Sequence, residues 1–335
     1  MFRYLIPKIS CQATRNIYDS TYPANNPSED RIMYICDVMH QNRKIDIVGI
    51  FDGHGGWQVS NFVSQNIGNS MIERMITFDH SNEVSTMNLL KDAFNRVERQ
   101  YMEDVKSSFN HGFGEVAKVG CCATLAVRFG DYLTIANTGD CRAVLGTSTN
   151  DDDNDNILGI RLTSDHNARE ALEDYRLRME HPNENNIIVC KSSTACYVKG
   201  RLQLTRALGD AYLKMSSFNA PSGKHRSWGR HIAQPYTPPY VDSRPQLHRV
   251  TLNSKDKFLI LATDGVWDFL SDQEATDVVK IAIQNDEDPA LALREKALLV
   301  AALESGMSIE ELRTLPPGRA RRSRHDDTTA LVLIL

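Results

Sequence analysis

Apolar and polar positions alternate along the chain in ways that place most of its regular elements. Ile45–Phe51 is a short apolar run rich in β-formers and ends on Asp52; Lys257–Thr263 is a second, ending on Asp264; Thr328–Leu335 is a third, preceded by Asp326-Asp327. Each is predicted to be a strand. Phe62, Val63, Ile67, Met71 and Met75 recur at helical spacing, as do Met87, Leu90, Phe94, Val97 and Tyr101, which predicts two amphipathic helices. Cys121–Val127 and Tyr132–Ala136 flank Arg128-Phe-Gly-Asp131 and read as a β-hairpin, with Cys141–Leu145 continuing as a third strand beyond the turn at Thr138-Gly-Asp140. Ala168–Glu180 reads as a charged helix stopped by His181-Pro182. Ser271-Asp-Gln-Glu274 is a capping-box signature that opens another helix. Asp151-Asp-Asp-Asn-Asp155 reads as a solvated loop tip rather than a calcium site. Ser216–Tyr240, rich in Pro, Gly, Ser and aromatics, is too long for an idle connection and is expected to be a flap near the functional site.

Composition narrows the classes of function. The 335 residues are 41% hydrophobic and 24% charged, in the ordinary range of globular chains, and carry a net charge of −5. Neither a nucleic-acid partner nor membrane insertion is expected, because there is no basic stripe and no apolar run near the roughly 20 residues needed to cross a bilayer. Seven cysteines, with no C-x-x-C pair, fit buried thiols in a reducing compartment better than a disulfide framework or a zinc site. Arg3, Lys8 and Arg15 precede the first acid, Asp19, so the start resembles a short mitochondrial leader; a first β-strand is the other reading. Residues 1–18 are accordingly read as an N-terminal extension or first strand, and 19–335 as one domain.

The chemistry is suggested by acids at strand ends. Asp52 and Asp264 follow strands, while Glu29-Asp30 and Asp326 precede apolar stretches. Carboxylates brought together there would repel one another unless cations neutralised them, and hard divalent ions such as Mg²⁺ or Mn²⁺ take oxygen ligands. Either aspartate before glycine, taken alone, is better explained as a turn former. Phe51-Asp-Gly-His-Gly-Gly56 shifts that balance by setting a titratable His54 between an acid and a flexible glycine cluster.

These segments, in order, resemble the type 2C family of metal-dependent protein serine/threonine phosphatases. The resemblance rests on Glu29-Asp30, Asp52-Gly-His-Gly-Gly56, Gly120-Cys-Cys-Ala-Thr124, Ala136-Asn-Thr-Gly-Asp-Cys-Arg142, Leu162-Thr-Ser-Asp-His166, Leu204-Thr-Arg-Ala-Leu-Gly-Asp210, Ala262-Thr-Asp-Gly-Val-Trp-Asp268 and Asp326-Asp-Thr-Thr329. Within the family, Pro23–Arg31, Ser164–Glu170, Tyr236–Tyr240 and Asp326-Asp327 look like the pyruvate dehydrogenase phosphatase subgroup.

The resemblance implies an α+β fold: a four-layer αββα sandwich of two mainly antiparallel sheets flanked by helices. It implies hydrolysis of phosphoserine and phosphothreonine monoesters by a hydroxide bridging two Mg²⁺ or Mn²⁺ ions. Asp52 would bridge the ions, with the Gly53 carbonyl, Asp264, Asp326 and Glu29 as further ligands and Asp30 acting through water. Asp140 and Asp268, with Asp264, match a weaker third site. His54 would be the general acid; His166, His181 and His325 are assigned to structure, with an orienting role the alternative for His166. Asn25 stands where the family usually has an arginine that holds the substrate phosphate, four residues before the metal-binding glutamate, which leaves the ions to hold more of that charge.

The implied partners are a phosphoprotein, pyruvate dehydrogenase-like by the subgroup resemblance, and a regulatory subunit; the implied location is mitochondrial, with the cytoplasm as the alternative. A catalytically inactive member used as a binding module is the competing reading, disfavoured by the full acidic set. A metal-dependent phosphodiesterase or nuclease is disfavoured by the acidic net charge.

Overall fold

Successive residues of the strand Asp256–Ala262 face opposite ways: Phe258, Ile260 and Ala262 enter one buried cluster, Leu259 and Leu261 another. The strand Thr328–Ile334 repeats this, with Ala330 and Val332 on one side and Leu331 and Leu333 on the other. A sheet apolar on both faces must be covered on both, and it is.

The computed structural model describes residues 16–40, 43–75, 83–149, 156–192, 195–219 and 231–335. Its strands are β1 (Ile17–Tyr22), β2 (Arg31–His40), β3 (Arg43–His54), β4 (Gly120–Phe129), β5 (Tyr132–Thr138), β6 (Arg142–Ser148), β7 (Ile157–Arg161), β8 (Ile188–Cys190), β9 (Cys196–Val198), β10 (Leu208–Gly209), β11 (Gln246–Thr251), β12 (Asp256–Ala262) and β13 (Thr328–Ile334). The helices are α1 (Gln58–Met75), α2 (Glu83–Asn110), α3 (Ala171–Glu180), α4 (Ala211–Lys214), α5 (Asp264–Trp267), α6 (Asp272–Gln284), α7 (Pro289–Glu304), α8 (Ile309–Thr314) and α9 (Arg319–Arg322).

One antiparallel sheet runs β1-β13-β12-β6-β7; the other runs β11-β5-β4-β3-β2, with β10 added to β4. Helices α1 and α2 cover the second sheet, and α6 and α7 cover the first. This is the expected four-layer αββα sandwich. On α1 the fully buried stripe is Val59, Val63, Ile67 and Met71, an unbroken i, i+4 series. Ser271 caps α6 through the reciprocal box with Glu274.

Three expectations change. The β4–β5 hairpin forms, but β6 does not extend its sheet: the turn at Thr138–Asp140 carries the chain across to pair with β12 and β7. Cys190 and Cys196 are bonded to each other across the β8–β9 hairpin, where they sit directly opposite, so they are not free thiols; Cys36, Cys121, Cys122 and Cys141 are free and buried as expected. Helix α7 was not anticipated, although Asp288 caps it with Pro289 in its first turn. Its sides meet two neighbours, sheet and α8, which hides the one-faced pattern of α1. The leader-like segment, the Asp151–Asp155 loop and the centre of the Ser216–Tyr240 flap lie outside the described residues. No helix among the described residues is long and apolar enough to cross a membrane.

Candidate active site

Strand register gathers the acids. In one sheet, Arg31 of β2 faces Phe51 of β3, Asp52 faces Cys122 of β4, and Ala123 faces Thr138 of β5. In the other, Ala262 of β12 faces both Ala330 of β13 and Arg142 of β6, while Tyr22 of β1 faces Thr328. Glu29-Asp30, Asp52, Asp140, Asp264 and Asp326 therefore all leave their strands at corresponding ends of the sheets. Thr263 Oγ1 donates to Asp30 Oδ2 across the two sheets (3.1 Å).

The electrostatics follow from that crowding. Burial, then the charges of Asp30, Asp326 and Asp140, push the Asp52 carboxyl well above the usual range. Burial and then Asp52, Asp140 and Asp326 do the same to Asp264; burial and then Asp327 do so to Asp30. Burial raises Asp140 against hydrogen bonds from Asn167 and Cys122, and burial and Asp140 raise Asp268. Asp30 Oδ1 is buried with no hydrogen-bond partner. Among the described residues no three acidic, His or Cys side chains converge closely enough to hold one ion as they stand. The donors are nonetheless all oxygens, mutually repelling and in part orphaned, and they fit a hard divalent cation.

Glu29 is held by backbone. Ser60 of α1 donates to the Glu29 carbonyl (2.5 Å), and a Cβ on Gly53 would lie 2.6 Å from that same oxygen, so only glycine allows β3 and the β1–β2 loop to approach this closely. Asp327 organises the rest of the loop, accepting from the backbone N–H groups of Ala24 (2.5 Å), Asn25 (2.8 Å) and Glu29 (2.6 Å) and from Ser28 Oγ (3.0 Å). Asn25 donates through Nδ2 to Asp326 (3.4 Å) and Asp327 (3.2 Å).

The sequence singled out His54 but assigned no role to its partner. His54 Nε2 lies 2.7 Å from Oδ2 of Asp210, which is fully buried. Asp210 adopts the left-handed conformation (φ 50°, ψ 43°), unusual for a residue with a side chain, and its Oδ1 has no partner. Burial lowers the affinity of His54 for its proton, but the Asp210 carboxylate, with Asp140 and Glu29 behind it, more than offsets this and the net shift is upward. Of the other histidines, His166 is buried with Nδ1 accepting from the Gly139 N–H (3.2 Å), next to Asp140.

An antiparallel sandwich with an acid cluster at one end and a histidine–aspartate pair beside it carries the donor groups of a metal-assisted hydrolase. The sequence profile of the family "Protein phosphatase 2C" matches residues 22–306. The chain is 32% identical over 294 residues to probable protein phosphatase 2C 68 of Arabidopsis thaliana, covering 86% of this chain and 70% of that one. It is 33% identical over 323 residues to probable protein phosphatase 2C 38 of the same plant, covering 94% and 79%. Its fold is similar to that of serine-threonine phosphatase 2C from Toxoplasma gondii, with TM-score 0.59, 18% identity, and coverage of 94% of this chain and 98% of the other. The chain belongs to the protein phosphatase 2C family and is a serine/threonine protein phosphatase. Members of the family generally depend on Mg²⁺ or Mn²⁺.

Proposed function

We propose that the chain hydrolyses phosphoserine and phosphothreonine monoesters at the acid cluster, with His54 as general acid. Asp52, the Gly53 carbonyl, Asp264, Asp326, Glu29 and Asp30 would hold two divalent cations, and Asp140 and Asp268 with Asp264 a third. Such ions supply charge neutralisation for the phosphoryl group and acidify water. The remaining work falls to the chain's own residues. With Asp210 holding the Nε2 proton, Nδ1 is the nitrogen left to protonate the departing serine or threonine alkoxide. The raised proton affinity of His54 keeps the acid form present to higher pH. Cys121, Cys122 and Cys141 take no nucleophilic part, because burial and neighbouring groups push their thiols up.

The observation that carries this reading is that buried acids from five separate chain segments act on one another electrostatically beside the His54–Asp210 pair. It is tested by Mn²⁺-dependent hydrolysis of a small aryl phosphate, with Asp264→Asn as control. An inactive wild type, or equal activity in the variant, refutes it. The finer reading is a pyruvate dehydrogenase-like phosphoprotein met in mitochondria with a regulatory subunit. Its support is the likeness of Pro23–Arg31 and Asp326-Asp327 to that subgroup. Its tests are a matched phosphoprotein assay and the location of a fusion to the first 20 residues.

A further inference from the structure

We propose that Arg322 supplies the guanidinium that holds the substrate's phosphoryl oxygens, in place of the arginine that Asn25 replaces. The proposal rests on the phosphatase reading above. Asn25 and Arg322 are 297 positions apart in the chain, yet Arg322 Nη1 donates to Asn25 Oδ1 (2.9 Å) and to Glu29 Oε2 (2.9 Å), and Nη2 donates to Asp326 Oδ2 (3.1 Å). The guanidinium therefore stands beside Asn25, Glu29 and Asp326, brought there from the other end of the chain.

The way it is held decides what it can still bind. A guanidinium has five N–H donors. The three bonds above use both Nη1 protons and one on Nη2, leaving Nε–H and the second Nη2 proton. Two N–H donors on the same planar guanidinium thus remain for the oxygens of a phosphate.

Exposure agrees. The Arg322 side chain is 41% accessible, whereas the neighbouring Arg321 is buried and spends itself on the carbonyls of Pro23 and Leu315. Arg321 fastens the segment; Arg322 rims the acid cluster. A dianionic ester approaching that many carboxylates needs cationic groups at the rim, and Arg322 is bound directly to two of those acids.

The experiment compares Arg322→Ala, Arg322→Lys and the double variant Asn25→Arg/Arg322→Ala. Inorganic phosphate binding to the Mn²⁺-loaded protein and Mn²⁺ binding are each measured by calorimetry, alongside KM and kcat for an aryl phosphate. Arg322→Ala should weaken phosphate binding about tenfold or more, the scale of a lost bidentate charge-assisted contact. Its KM should rise by more than its kcat falls, and Mn²⁺ affinity should stay within about threefold. Arg322→Lys, which keeps charge but loses the planar guanidinium, should fall between, and the double variant should regain phosphate affinity. Undiminished phosphate affinity in Arg322→Ala overturns the assignment, as does a parallel loss of Mn²⁺ affinity, which would make Arg322 a brace for the acids. A wild type inert toward the ester would instead overturn the phosphatase reading and this assignment with it, so the two failures are told apart.

Discussion

His54 Nε2 and Asp210 Oδ2 are 2.7 Å apart, and the space for that contact exists because residue 120 has no side chain. A Cβ on Gly120 would lie 2.1 Å from Asp210 Oδ2 and 2.3 Å from His54 Nε2. Three segments distant in sequence, at the end of β3, the start of β4 and the entry to α4, thus meet to hold one proton.

The first prediction concerns that proton. His54→Gln should lower kcat on a phosphothreonine peptide by about 10²–10⁴, the usual contribution of general acid catalysis. A nitrophenyl ester, whose leaving group is stable as an anion, should suffer far less. Equal losses on the two substrates would show that His54 does not protonate the leaving group.

Asp210→Asn removes the charge that raises the His54 proton affinity. Burial, which lowers it, is then opposed only by the smaller contributions of Asp140 and Glu29. The acid form will be lost at lower pH, so the alkaline limb of the kcat profile should move down in pH. Gly120→Ala, by displacing both partners, should reproduce that shift. Profiles superimposable on the wild type in both variants would remove Asp210 from the mechanism.

Which of these features could be read beforehand depends on how local they are. The acids at strand ends were visible because an apolar run broken by aspartate is a short-range signal, and the helical stripes of α1 and α2 were visible for the same reason. Asp210 closes a quoted motif, but its pairing with His54 needs β10 to dock on β4, which no spacing encodes. Arg322 stands in a run containing Arg319, Arg321, Arg322 and Arg324, and which of them reaches the acids is decided by the single turn of α9 and by Arg321 anchoring it. The Cys190–Cys196 bond required the β8–β9 register, which three-residue strands do not announce.

Asp327 should prove to be a structural residue with a functional consequence. It is buried, and its carboxylate satisfies three backbone N–H groups and a hydroxyl in the loop that carries Glu29. Asp327→Ala orphans all of them and should cost about 3 kcal/mol or more in denaturant unfolding. Mn²⁺ affinity should fall too, since Glu29 loses its support. Asp327→Asn keeps one acceptor oxygen and should be milder on both counts. A loss below about 1 kcal/mol for the alanine variant would contradict this account of the loop.

Asp264→Asn should have opposite effects with and without metal. The folded-state affinity of Asp264 for a proton is raised, so the metal-free native state binds more protons than the unfolded chain above the usual carboxyl range. Its stabilising contribution is present at low pH and is lost as pH rises through the raised folded value. Neutralising the side chain should therefore stabilise the metal-free protein at neutral pH and flatten that part of its pH dependence. Mn²⁺ should raise the melting temperature of the wild type much more than that of the variant. A variant less stable without metal, or equally protected by it, would argue against a repelling cluster.

The last prediction follows from His166, whose affinity for its proton is pushed the other way. Burial, then the charge of Arg206, lowers its pKa to about 4. Nδ1 accepts the Gly139 N–H, so the neutral ring is the form that fits. It braces the turn that carries Asp140, which itself accepts from Asn167 Nδ2 (3.0 Å). In the unfolded chain the ring titrates near its ordinary value of 6.5. Above that pH neither state is protonated and the stability is complete; as pH falls from about 6.5 toward 4, the unfolded state gains a proton that the folded state refuses. The loss across this window should approach about 3 kcal/mol from the one group. His166→Asn offers an amide oxygen in place of Nδ1 without titrating. It should be less stable than the wild type at pH 8 through imperfect packing, yet lose less stability between pH 6.5 and 4. Unfolding curves measured across that interval decide it: parallel losses in the two proteins would mean that the acid sensitivity of the fold lies elsewhere.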